Sequence, residues 1–181
     1  MVGLPLTTAA DTDPGGSASD LLRELAENRP AELFFEEERD VRMVESTMHL
    51  EGWVRFEPPD TLIREVREPF DQRLVIAGEH ITVIEDGRVE QQLHRDDDPG
   101  LAVLVRFLMA LHGRGIEDLE SHFEMVHEGD ADGWRVTLEP SGRAERRRIR
   151  QIILRGADAW LETVEIQETN GDNTLTRFSR P

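Results

Sequence analysis

Gly100-Leu-Ala-Val-Leu-Val-Arg-Phe-Leu-Met-Ala-Leu-His112 is apolar on nearly every side. At helical spacing, Leu101, Leu104, Val105, Leu108 and Leu111 form an ordinary core stripe, and Val103, Phe107 and Met109 fill most of the remaining arc. A helix apolar all round is buried or covers something apolar. Asp96-Asp97-Asp98-Pro99 precedes the segment, offering negative charge to its N-terminus, and Gly113 follows as a stop.

Strand patterns flank this segment on both sides. Upstream, residues 79–85 and 88–93 are predicted to form a hairpin around Asp86-Gly87, a two-residue turn signal. Residues 61–68 and 72–77 read as strands separated by Pro69. Residues 47–57 alternate: Met48, Leu50, Val54 and Phe56 point one way, with Gly52 between them, and His49, Glu51, Trp53 and Arg55 point the other. Pro58-Pro59-Asp60 breaks that strand. Residues 31–44 are strand-like but rich in Glu, and Glu36-Glu37-Glu38 reads as a solvated edge that discourages pairing. A first helix is expected up to about residue 27, capped by Ser19 or Asp20, with Leu21, Leu22 and Leu25 on one face. Downstream come a short helix over 116–122 and strands over 123–128, 134–139, 146–155, 159–168 and 174–180. The order of elements predicts an α+β fold, a single curved antiparallel sheet with helices gathered on one face.

Composition narrows the function classes. The chain has 181 residues, enough for one domain with a core, and a formal net charge of −17. That charge disfavours a grip on nucleic-acid phosphates or anionic membranes. With no cysteine, thiolate metal sites and cysteine nucleophiles are ruled out. No stretch approaches the ~20 apolar residues of a membrane-spanning helix. Met1 to Leu6 lack the basic region of an intact signal peptide, and residues 1–18 read as a flexible leader ahead of one domain at 19–181.

Motifs for chemistry are missing. The six histidines show no spacing that puts two zinc ligands on one helix. Asp96-Asp97-Asp98 lacks the terminal bidentate Glu of a calcium loop. There is no Gly-x-Ser-x-Gly or Ser-x-x-Lys nucleophile motif and no phosphate loop. Residues 143–150 hold five arginines, expected as a hairpin arm paired with nearby acids, with a partner-docking surface as the alternative. No catalytic residue, metal or cofactor is therefore expected.

A resemblance adds to this reading. Glu51-Gly-Trp-Val-Arg-Phe-Glu-Pro-Pro-Asp-Thr-Leu62 resembles the Gly-x-hydrophobic-x-x-x-Pro-x-x-Leu signature of the LolA-like periplasmic lipoprotein carriers. Phe34 to Arg39 is similar to the preceding Phe-x-x-x-x-Arg strand, and Gly133-Trp-Arg-Val-Thr-Leu-Glu-Pro140 to the Trp-x-Leu-x-Pro strand. The Ile149 and Ile152 strand and the turn over 168–174 keep the same order.

The resemblance implies an incomplete antiparallel β-barrel closed by a helical lid, with an apolar cavity for acyl chains. The residues it assigns to lid and cavity are Leu101, Leu104, Val105, Leu108, Met109, Trp53, Val54, Phe56, Ile81 and Val83. It implies a non-enzymatic, monomeric periplasmic carrier of lipid or acylated protein, exchanging cargo with envelope donor and acceptor proteins. A protein-interaction or sensor module on the same fold is the alternative. One departure stands out. Typical carriers place an arginine directly before the motif proline to latch the lid, and Pro58 stands there in this chain. Apolar contacts from Leu104, Leu108 and Met109 are then expected to hold the lid shut.

Overall fold

The computed structural model describes residues 16–28, 30–44, 46–97 and 99–179. Most of the expected leader lies outside these residues, and Ala18 already opens the first helix. That helix, α1 (Ala18–Asn28), buries Leu21, Leu22 and Leu25 on the anticipated face. Its cap is Ser17, not Ser19 or Asp20. The Asp20 amide donates to Ser17 Oγ, and the Ser17 amide donates to Asp20 Oδ2, both at 3.2 Å. This reciprocal pairing satisfies helix-start donors from both sides. Ser19 is instead buried and donates to Glu120.

Five strands follow β1 (Glu32–Val41): β2 (Ser46–Glu57), β3 (Thr61–Glu68), β4 (Gln72–Ala77), β5 (His80–Glu85) and β6 (Arg88–His94). Asp86 and Gly87 both take positive φ, 48° and 75°, the geometry a two-residue hairpin with matching twist requires. The lid candidate is α2 (Pro99–Ala110), followed by α3 (Ile116–His122). Gly113, at φ 73°, ends α2: its amide donates to Ala110 O and the Arg114 amide to Met109 O, the paired bonds of a Schellman stop. The remaining strands are β7 (Phe123–Asp130), β8 (Gly133–Pro140), β9 (Ile149–Ala157), β10 (Trp160–Glu168) and β11 (Asn173–Ser179).

All of these strands join one open, antiparallel curved sheet in the order β6-β5-β4-β3-β2-β1-β11-β10-β9-β8-β7. The chain runs outward from β1 to one edge at β6. The helices then carry it to the far edge at β7, and it returns inward to β11. The seam between β1 and β11 runs from Phe34 opposite Ser179 to Asp40 opposite Asn173. This position corrects the reading of Glu36-Glu37-Glu38 as a solvated edge. β1 is an interior strand, and Glu37 is only 5% exposed. A charged residue on an interior strand needs partners, and Glu37 has them.

The arginine run is also corrected. Residues 145–147 form a short 3-10 turn and β9 begins only at Ile149. Among the described residues no ion pair is seen for Arg143, Arg147 or Arg150, whereas Arg148 is near enough to act on the Glu168 carboxyl. The loop is held through its backbone: Thr169 donates from its hydroxyl to Arg146 O and from its amide to Arg148 O.

Candidate functional site

The helix α2 contacts the sheet along three stripes. Val103, Phe107 and Ala110 pack into a core with α1, α3 and the strands β8 to β10, including Leu22, Leu119, Val136, Leu138 and Ile152. On the other side Val105 and Met109 pack on Leu62, Ile76 and Ile81 of β3 to β5. Between these stripes, Leu104, Leu108 and Leu111 face a cavity of about 340 Å³. Leu104 and Leu108, expected at the cavity, line it; Val103 is fully buried, and Phe107, also buried, meets both the core and the cavity wall. A helix straddling two halves of a curved sheet needs apolar residues on both flanks as well as beneath, which explains its all-round greasiness.

Val54, Phe35 and Phe178 line the apolar part of the cavity wall, with Val164 and Ile166 of β10. A smaller apolar pocket of about 70 Å³ adjoins it, sharing Val54, Leu108, Leu111 and Phe178. The polar part of the wall is built from Glu37, Arg39, Arg64, Gln72, Thr174, Thr176 and Glu168. Glu37 Oε1 lies 2.6 Å from Arg39 Nη2 and 3.0 Å from Arg64 Nη2, and Thr176 Oγ1 donates to Glu37 Oε2 at 2.9 Å. Burial opposes the charge on Glu37, but Arg64 and Arg39 outweigh it and hold the carboxyl below its usual range. Burial likewise lowers the pKa of Arg64, with Glu37 pulling the other way. The Arg64 guanidinium lies 4.4 Å over the Phe35 ring. Its Nη2 is buried and makes no aligned hydrogen bond, although Glu37 is within ion-pair distance. Glu168 is pushed up by burial and by Asp172, while Arg39 and Arg148 work against the shift.

The expected site residues divide accordingly. Leu104, Leu108 and Val54 line the cavity. Val105, Met109, Phe56 and Ile81 belong to the packed cluster beside it. Val83 shares the sheet face of Ile81 but lies outside the cavity lining. Trp53 is a correction: it sits on the opposite face, 40% exposed, edge-on to Phe34 at 5.2 Å. The alternation of β2 already set it against Val54 and Phe56. The side chain of Leu101 lies outside the described residues. Sequence reasoning missed Phe35, Glu37, Arg39 and Arg64, and all of β10 and β11. Period-two spacing of Phe35, Glu37 and Arg39 was a usable signal for one shared face.

The lid carries no arginine latch from the position before the motif proline, where Pro58 stands. Besides its apolar stripes, α2 is joined to α3 by Arg106, whose Nε lies 3.2 Å from Asp118 Oδ2. The His112 ring just beyond α2 stacks on Phe56 at 5.0 Å. Among the described residues no cluster of His, Asp or Glu could hold a metal ion, and no helix is long and apolar enough to cross a membrane.

An open half-barrel with a covering helix and a cavity beneath it defines a binding module. The sequence pattern of the outer membrane lipoprotein carrier protein LolA-like family matches residues 10–179, and the chain belongs to that family. Among solved structures, it is similar to a LolA superfamily protein from Nitrosomonas europaea. The TM-score is 0.50 at 11% identity, over 92% of this chain and 93% of that one. It also matches the Pseudomonas aeruginosa MucA/MucB complex, with a TM-score of 0.47 and 16% identity over 90% of this chain and 55% of that one. A third match is the Mycobacterium tuberculosis lipoprotein LppX, with a TM-score of 0.42 and 11% identity over 90% of this chain and 95% of that one. No curated protein sequence matches the chain.

Proposed function

We propose that this protein is a non-enzymatic, monomeric periplasmic carrier that holds the acyl chains of a lipid or lipoprotein between α2 and the β1–β11 seam. The observation that carries this reading is the cavity of about 340 Å³ beneath Leu104, Leu108 and Leu111. Its volume falls within the roughly 300–1,000 Å³ of ligand pockets. Each buried methylene contributes ~0.8 kcal/mol. About ten of them would supply ~8 kcal/mol, the scale of a micromolar Kd before ordering costs. The family supports the reading, since it is described as one of outer membrane lipoprotein carriers. Cargo would pass from and to other envelope proteins.

Titration of delipidated protein with a fluorescent fatty acid tests the proposal. Saturable binding is expected, weakened by about tenfold or more in Leu108→Asp, because a charge in the apolar wall must be desolvated. Absence of saturable binding to the native protein would sink it.

The arginine-rich loop favours a second reading, a module that docks a partner protein. Among the described residues Arg143, Arg147 and Arg150 have no ion-pair partner, in an acidic molecule. An acidic peptide that binds without lipid, and is lost on changing these three to Gln, would support that alternative.

A further inference from the structure

The cavity wall is not uniformly apolar: its charged part holds Arg39, Arg64, Glu37 and Glu168. Arg39 and Arg64 face the single carboxylate of Glu37, whose other oxygen is already occupied by Thr176. A guanidinium has five N–H donors and needs acceptors for them when buried. Arg64 is 15% exposed, and Glu37 is its only polar partner among the described residues. One of its buried nitrogens, Nη2, lacks an aligned acceptor. Glu168 lines the same cavity and is near enough to feel Arg39, but it also answers to Arg148. Arg64 has no such second anion, and the Phe35 ring beneath fixes its plane. A side chain placed only to close an ion pair would not need an open cavity in front of it.

Resting on the carrier reading above, we propose that the cavity selects an amphiphile with an anionic head. The head accepts hydrogen bonds from Arg64 and Arg39, and the tail runs along Leu104, Leu108 and Val54. A carboxylate and a phosphate share the required chemistry, since both present paired oxygens to a guanidinium. Gln72, Thr174 and Thr176 stand in the same wall as further polar neighbours. The apolar tail supplies the larger part of affinity, and the head sets which amphiphile is kept.

The test uses three ligands with one twelve-carbon chain: dodecanoate, dodecyl phosphate and dodecanol. Each is titrated calorimetrically into delipidated full-length protein at pH 8, below its micelle concentration. A charge-assisted hydrogen bond predicts that at least one anion binds about tenfold or more tighter than the alcohol. A phosphate preference points to a phospholipid headgroup, and a carboxylate preference to a fatty acid. Arg64→Met, made with Glu37→Gln so that no carboxylate is stranded, should abolish the preference by weakening the anions far more than dodecanol. Arg39→Gln, at a half-exposed position, should reduce the preference less and serves if the double variant does not fold. Equal binding of all three ligands to the native protein would overturn the proposal and spare the carrier reading. Equal weakening of acid and alcohol by the variants would do the same. No binding of any of them would overturn both.

Discussion

Glu37 shows how one residue changes meaning with its neighbours. In the run Glu36-Glu37-Glu38 it looks like solvated charge, yet β2 and β11 enclose β1 and turn Glu37 toward Arg39, Arg64 and Thr176. Breaking a buried ion pair by removing one partner costs about 3–5 kcal/mol, because the other charge is left unsatisfied. Glu37→Leu should therefore destabilise by that order in urea unfolding, and Glu37→Leu with Arg64→Leu should cost less than Glu37→Leu alone. The pH dependence follows from the direction of the shift. The folded carboxyl titrates below its ordinary 4.5. Its contribution is thus fully present above that value and is lost as pH falls through the lower folded one. The stability gap between native protein and Glu37→Gln should narrow below about pH 4. A gap that widens on acidification would contradict the assigned ionisation.

Among the elements, the local signals were legible where chemistry acts within a few residues. The Asp86-Gly87 turn, the bounds of β3 and β4, the short helix α3 and the stop at Gly113 all follow from turn geometry or period. The first cap falls on Ser17 because Ser17 and Asp20 bond reciprocally across the helix start, a pairing that no single residue type announces. The lid helix was legible as apolar, and Leu104 and Leu108 were expected at the cavity, but how its remaining stripes divide between core clusters was not legible. Which stripe meets which cluster depends on where the sheet curves, and periodicity carries no information on that. Gly52 was visible as an oddity in a strand, and the structure gives its reason. It sits at a register shift between β2 and β3, where an added Cβ would lie 1.8 Å from Glu65 O. Gly52→Ala should cost on the order of 3 kcal/mol in chemical denaturation. An unchanged midpoint would mean the strands part more readily than their pairing suggests.

For the whole molecule, the α+β class and the helices on one face were legible from the order of the elements. The β1–β11 seam was not, because pairing between residues about 140 apart leaves no local mark. Part of the cavity wall went unseen with it: Thr174, Thr176 and Phe178 from β11, and Val164, Ile166 and Glu168 from β10. Net charge acts at this scale too. At −17 the folded chain repels itself, and salt screens that repulsion. Its Tm should rise between 10 mM and 500 mM NaCl, by a few degrees if the relief is about 1 kcal/mol. A falling Tm would show that the ion pairs outweigh the self-repulsion.

The seam also sets an order of events. Phe35, Glu37 and Arg39 come from β1, and Thr174, Thr176 and Phe178 from β11, so neither half of the sheet alone encloses the cavity. While a ribosome is still synthesising the chain, β1 waits with an open flank and no pocket exists to be filled. Only when residues 173–179 pair with β1 does a place for a ligand come into being. A ligand of the proposed kind would therefore meet a complete wall only after the last strand has joined the first.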